Sequence, residues 1–326
     1  MTPGVDLPSG QLGARAARQA PLAKPGGGRP TGTHEGPPPG QPRRVGYLYI
    51  LPGFLVYLGF ALIPLGQAVW LSFFNWDGVT PAVWAGLGNY RTMLTDPELI
   101  SAFVHSAVLI FFYSFLSVSL GLVLAASLSR VRIIGISAFR AVLFVPQVLP
   151  MVAVAIAWRL IYAPTGPLNQ SLQILGLGFL RRYWLGDFTW ALPSIGVVGT
   201  WVMYGLCMVL FLSGIQKIPS SLYDAARIDG AGPIGEFFAV TLPGLRNEIV
   251  VAAVLTIITA LRNFDLVYVM TSGGPGNATD VPAFEVYVRA FEVGQIGSAA
   301  AVGTVLALII FGVTFSVSRL GQRRAA

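Results

Sequence analysis

The sequence predicts an all-α polytopic membrane protein with six transmembrane helices. Three observations carry that expectation. Of 326 residues, 54% are hydrophobic and 11% charged, and the mean hydropathy is +0.69; a soluble globular domain carries about 25% charged residues. Six apolar stretches, at about 46–72, 104–128, 138–162, 191–214, 248–271 and 298–318, each approach the roughly 20 residues that span a bilayer. The basic residues behind the net charge of +7 fall in an N-terminal tail and in short segments between those stretches. That distribution suits membrane topology, so the partner implied is a lipid bilayer and no nucleic acid.

Residues 1–44 are rich in Gly and Pro, with Arg15, Arg18, Lys24, Arg29, Arg43 and Arg44 scattered among them. Such a segment buries too little surface to fold and is expected to be a disordered cytoplasmic tail, inert or resting on anionic lipid. No apolar run precedes Tyr47, so a cleaved signal peptide is not expected. Residues 45–103 hold the first span and its outer loop, 104–320 the remaining spans, and 321–326 a short tail. Arg130 and Arg132, then Lys217, Arg227 and Arg246, then Arg319, Arg323 and Arg324 fall on one side. Arg91, Arg181, Arg182 and Arg289 fall on the other, diluted by Asp77, Asp96, Glu98, Asp187, Asp280, Glu285 and Glu292. The positive-inside rule then puts both termini in the cytoplasm. The third span carries Pro146 and Pro150 one turn apart. They should kink or break it, either as a static bend or where the helix lines a wet cavity.

Between the fourth and fifth spans, within a loop over 216–246, Ser220–Pro243 is the longest polar interruption of the C-terminal half and reads as two short helices joined by a turn. Ser221 has the spacing of an N-cap, with Asp224 completing a capping box. Gly230 stands where a C′ glycine ends a helix, Gly232 and Pro233 restart one, and Pro243 is expected to close it. By the inside rule this loop is cytoplasmic.

Within the spans, Thr256, Thr259 and Asn263 recur at helical spacing and should share one face of the fifth. A polar stripe in a membrane helix faces protein or water. It serves either hydrogen bonds between helices or a substrate with hydroxyl groups, for which Trp201 and Tyr204 of the fourth span would supply a flat apolar surface. Arg262 and Asp265, three apart, read as an ion pair near the outer interface or as a gate contact. Gly-x-x-x-x-Gly-Lys-Ser/Thr does not occur, His34 and His105 lack metal-ligand spacing, and Cys207 is the sole cysteine. The chain is therefore not expected to be an enzyme, and any nucleotide site belongs on another chain.

The loop resembles the cytoplasmic EAA loop of bacterial ABC importer permeases. That pattern is Glu-Ala-Ala, three residues, Gly, nine residues, Ile, one residue, Leu-Pro. Here stand Asp224-Ala225-Ala226, Gly230, Val240 and Leu242-Pro243, with Asp for Glu and Val for Ile. The likeness runs in order from about residue 100 to 320. It includes FVPQVLPMVAVAIAW ending at Trp158, Gly166-Pro167-Leu168-Asn169, Trp184-Leu185-Gly186-Asp187, Trp201 with Tyr204-Gly205, Asn263-Phe264-Asp265, and Thr271 to Thr279. The chain thus resembles the maltose-type and glycerol-phosphate-type permeases, without the large outer insertion of the larger maltose subunit; the basic tail is outside the family pattern.

The resemblance implies a type I ABC importer transmembrane domain in a bacterial inner membrane, passing a sugar or sugar derivative. It implies a second, unlike permease subunit, a cytoplasmic ATPase dimer carrying ATP and Mg, an extracytoplasmic solute-binding protein, and no cofactor on this chain. Tyr223, Asp224, Ala225, Ala226, Asp229, Gly230, Leu242 and Pro243 would couple to the ATPase, Asp224 through an arginine of that subunit. Trp201, Tyr204, Thr256, Thr259 and Asn263 would line the pathway. Two alternatives stay open. A permease for a glycerol-phosphate compound wants a basic pocket, for which only Arg159 and Arg262 offer themselves. An ion-coupled secondary transporter wants carboxylates within spans, for which only Asp265 does.

Overall fold

A computed structural model describes residues 43–130 and 135–323. The tail with Arg15, Arg18, Lys24, Arg29 and His34, and also Arg132 and Arg324, lie outside the described residues. The chain divides after Val56 into two units. The described part of the first is helix α1 (Arg43–Tyr57) up to its last residue, apolar on all sides beyond Gly46.

In the second unit, α2 (Ile63–Leu71) leads into a two-residue hairpin of β1 (Phe74–Asn75) and β2 (Val83–Trp84), with Phe74 opposite Trp84. Asp77 turns the hairpin: its Oδ1 accepts the amides of Val79 and Thr80 at 2.9 and 2.8 Å. Those donors hold its carboxyl below the usual carboxylate range. After α3 (Gly88–Thr95), Asp96 caps α4 (Pro97–Ile110), accepting the Glu98 amide at 3.0 Å with Pro97 in the first turn. That start signal moves the second span seven residues earlier than hydropathy alone places it. The helix widens through Phe111–Leu116, where bonds run i→i−5, and continues as α5 (Ser117–Arg130).

The third span is broken. α6 (Ile136–Val148) and α7 (Met151–Ile161) meet at 96°. Pro150 makes the break by holding Leu149 extended at ψ 139°, whereas Pro146 sits buried inside α6. α8 (Pro167–Ile174) precedes α9 (Ala191–Ile215), the fourth span. Asn169 ties the connection down: its amide donates to the carbonyls of Pro164 and Arg182, and its Oδ1 accepts from Trp184 Nε1 at 3.0 Å. The next segments are α10 (Ser220–Ile228), α11 (Pro233–Glu236), α12 (Leu242–Gly244) and α13 (Arg246–Leu261). They are followed by α14 (Asp265–Met270), α15 (Pro282–Tyr287) and α16 (Ile296–Arg323).

Among the described residues, four helices are long and apolar enough to cross a membrane, and six crossings result if each of two bent pairs counts as one. The chain is a multi-pass membrane protein. α9 is the axis of its core: 67% of its most apolar window is buried, against 28% or less for the other three long helices. Ile195, Val198 and Val202 pack with Tyr113, Leu266 and Val267, while Met208 and Phe211 pack with Leu245 and Ala252. Gly199 lets the Tyr113 ring approach the α9 backbone closely; a Cβ there would stand 2.6 Å from Tyr113 Cδ2, overlapping the ring.

The fifth span differs from the continuous helix expected over 248–271. A helical run from Pro233 to Gly244 meets α13 at 70°, and α13 itself stops at Leu261. Arg262 (φ −92°, ψ 8°) and Phe264 (φ −118°, ψ −52°) leave the α-helical path, and the Asn263 amide closes a tighter bond to Ala260 O. Asn competes for backbone hydrogen bonds and so favours helix ends.

Candidate functional site

Two places gather the candidate residues: the loop at α10 and a cavity at the break in the fifth span.

The expected capping box at α10 does not form. Pro219, with ψ 133°, occupies the N-cap position and Ser220 starts the helix, so Ser221 already lies inside it and makes no capping bond. Asp224 instead receives Arg227 Nη1 at 3.2 Å, and Arg227 Nε donates to the buried Glu236 at 2.9 Å. This bridges α10 to α11. The helix end follows expectation closely. Asp229 is the C-cap and Gly230 has φ +83°. The Gly230 amide bonds Arg227 O at 3.0 Å and the Ala231 amide bonds Ala226 O at 2.9 Å, a Schellman closure. Pro233 opens α11 after Gly232. Pro243 does not close the second helix: the run widens at Phe237–Thr241, where the Leu242 amide bonds Phe237 O, and passes through Pro243 to Gly244.

The loop therefore has two sides. Tyr223 anchors it, its hydroxyl 3.1 Å from Thr241 Oγ1, and Ala226 and Leu242 are half-buried. Leu222, Asp224, Ala225, Ile228, Asp229 and Pro243 are exposed, with Ile228 at 87%, and Ile234 and Phe238 of the next helical run are exposed too. Apolar side chains are thus held outward on a braced helix between spans.

The cavity at the fifth-span break has a volume of about 200 Å³ and is lined by Tyr113, Met151, Ile258, Thr259, Arg262, Asn263, Phe264 and Asp265. Of the expected stripe, Thr259 and Asn263 face it. Thr256 does not: it is fully buried, its hydroxyl donating to Ala252 O at 2.8 Å. Thr256 lies in the same continuous helix as Thr259, one turn earlier, at a level where α13 is packed in the core. Trp201 and Tyr204 also stand apart from the lining; Trp201 packs edge-on against Trp158 at 5.6 Å. Arg262 and Asp265 are exposed at the rim and form no ion pair with each other, because Arg262 caps α13 while Asp265 begins α14. Tyr113 was not singled out by sequence reasoning: an aromatic residue in an apolar span carries no local sign of what it faces.

Beyond the break, the segment 271–281 is held by a polar network. His105 Nδ1 lies 2.8 Å from Asp280 O, and Thr279 Oγ1 lies 2.8 Å from Thr271 Oγ1. Arg289 bonds Asp96 at 2.8 Å and Glu285 at 3.0 Å, so it is a structural tie and not a free loop charge. Burial, then the Glu285 carboxylate, pushes the Asp280 carboxyl up to about 7.

Within the second unit, apolar spans pack on a buried central helix, two spans are bent at short breaks, and an amphipathic helix with an exposed face hangs between the fourth and fifth, the build of a membrane permease subunit. Residues 117–325 match the family of binding-protein-dependent transport system inner membrane components, and the chain belongs to that family. It is 39% identical over 272 residues to the probable ABC transporter permease protein YurN of Bacillus subtilis, covering 82% of this chain and 93% of the relative. It is 34% identical over 289 residues to the trehalose/maltose transport system permease protein MalF of Thermococcus litoralis, covering 86% and 95%. The fold, that of a type I ABC importer transmembrane domain, matches a crystal structure of a bacterial ABC transporter involved in import of the acidic polysaccharide alginate. The TM-score is 0.74 at 22% identity, over 86% of this chain and 96% of that one.

Proposed function

We propose that this chain forms the translocation pathway of an ATP-driven importer for a sugar or sugar derivative. The carrying observation is the braced α10 with its exposed Leu222, Ala225 and Ile228, set between spans of a binding-protein-dependent permease. In this reading α10 docks on a cytoplasmic ATPase dimer that holds ATP and Mg. A second permease subunit completes the pathway, and an extracytoplasmic binding protein delivers the solute. The membrane is a bacterial inner membrane, with both termini and α10 on the cytoplasmic side. Asn263 and Thr259 contact the solute, and Arg262 and Asp265 act at the gate. Trp201 and Tyr204 support the pathway from α9.

Sugar transport rests on the names of relatives, which include trehalose/maltose and diacetylchitobiose systems. Arg262 at the cavity rim is offset by Asp265, which disfavours an anionic glycerol-phosphate solute. Asp265 is the sole carboxylate of that cavity, too few for ion coupling. The test is uptake of labelled sugars by proteoliposomes holding the full complex, with live or hydrolysis-dead ATPase. Uptake that needs the live ATPase and the binding protein is expected. Uptake that ignores the ATPase and collapses with an ion gradient would overturn the reading.

A further inference from the structure

We infer that Tyr113 contacts the transported solute, and that its hydroxyl and the Asn263 amide grip one sugar ring from two sides. This rests on reading the fifth-span cavity as part of the solute pathway. Among the described residues, seven buried side-chain polar atoms have no hydrogen-bond partner, and two of them, Tyr113 Oη and Asn263 Nδ2, belong to residues that line this one cavity. Tyr113 is 1% exposed and Asn263 7%. An unpartnered buried hydroxyl or amide is costly, so such groups occur where something else satisfies them. The two arrive from distant parts of the chain, Tyr113 from the widened turn at Phe111–Leu116 and Asn263 from the break after α13.

The chemistry selects the ligand. Asn263 Nδ2 only donates, while Tyr113 Oη donates or accepts. A ring hydroxyl satisfies both, and Met151 and Ile258 offer the apolar surface that the ring face needs. At about 200 Å³, the cavity is smaller than the roughly 300–1,000 Å³ of drug-sized sites. This chain's share of the site thus has room for about one sugar ring.

Tyr113→Phe separates a solute contact from a structural role, because the two predict opposite signs. The ring that packs on Gly199 is kept, and an orphaned hydroxyl is removed from the interior. The variant should therefore be as heat-stable as the wild type or more so. If the hydroxyl grips the solute, initial uptake at low sugar concentration falls about threefold to tenfold, the worth of one hydrogen bond. The assay uses the complete complex in proteoliposomes with labelled maltose, trehalose and diacetylchitobiose, with Asn263→Ala alongside. Slower uptake with undiminished thermal stability supports the inference. Slow uptake by Asn263→Ala alone overturns it while leaving the pathway reading in place. No change in either variant overturns both, as does transport of none of the sugars. Loss of uptake together with a drop in melting temperature for Tyr113→Phe makes the hydroxyl structural and also overturns the inference.

Discussion

Gly230 is where the turn after α10 can be tested most sharply, because two substitutions there fail for different reasons. Its φ of +83° is left-handed, and a Cβ built on it meets nothing within 4 Å. Alanine therefore costs only the backbone strain of an L residue in that region, about 1–2 kcal/mol. Asparagine tolerates the region better and costs less. Proline is excluded twice over. Its ring fixes φ at about −65°, and it lacks the amide hydrogen that bonds Arg227 O at 3.0 Å. Without that bond the Schellman closure is lost and the chain leaves α10 in another direction. If α10 docks on the ATPase, a penalty of about 1–2 kcal/mol should weaken that docking by about fivefold to thirtyfold for Gly230→Ala. Gly230→Asn should stay near wild type, and Gly230→Pro should abolish transport while membrane insertion is intact. The assay is titration of ATPase against permease in proteoliposomes, reading solute uptake and solute-stimulated ATP hydrolysis. A Gly230→Pro protein that transports at the wild-type rate would refute the docking role of the loop. An alanine variant as impaired as the proline one would refute the argument from open space.

Three further outcomes are expected. Asn263→Ala should slow uptake without weakening assembly with the ATPase; unchanged uptake kinetics would remove Asn263 from the pathway. Gly199→Ala should destabilise the protein by about 1–3 kcal/mol through overpacking, since the new Cβ overlaps the fully buried Tyr113 ring; an unchanged melting temperature would show that the two helices part at little cost. The Asp280 carboxyl, raised to about 7 from 3.8, keeps its proton in the folded state over a range where the unfolded chain has lost it. The stability it contributes is thus present at low pH and is lost as pH rises from about 4 through about 7. Asp280→Asn should raise the melting temperature at about pH 8 and leave it nearly unchanged at about pH 4; a pH profile parallel to that of the wild type would show that the Asp280 proton is not held in the fold.

Features governed by neighbouring residues were legible in the chain. Gly230 ends α10 as a C′ glycine because the left-handed region excludes nearly every other residue. Pro150 breaks the third span because it holds Leu149 extended. Where two local signals competed, reading one of them misled. Ser221 has cap chemistry, but Pro219, two residues earlier, already had the geometry of a helix entry. Asp224 was therefore free to pair with Arg227. Likewise the hydropathy of 248–271 gave no sign of the break, because Arg262-Asn263-Phe264 is short enough to vanish in an average over a whole span.

By itself the sequence determined that this is a multi-pass membrane protein with six apolar stretches, an exposed helix–turn–helix before the fifth, and the ordered motifs of a permease family. Hydropathy, turn chemistry and motif order are properties of adjacent residues, so they survive without coordinates. The tertiary structure decided what each side chain meets. It set Trp201 against Trp158 and left Thr256 in the core. It brought Tyr113 to the same cavity as Asn263 and braced α10 through Arg227 to Glu236. Those contacts depend on where a helix breaks and which helices can approach closely, as at Gly199, and packing across distant segments fixes both.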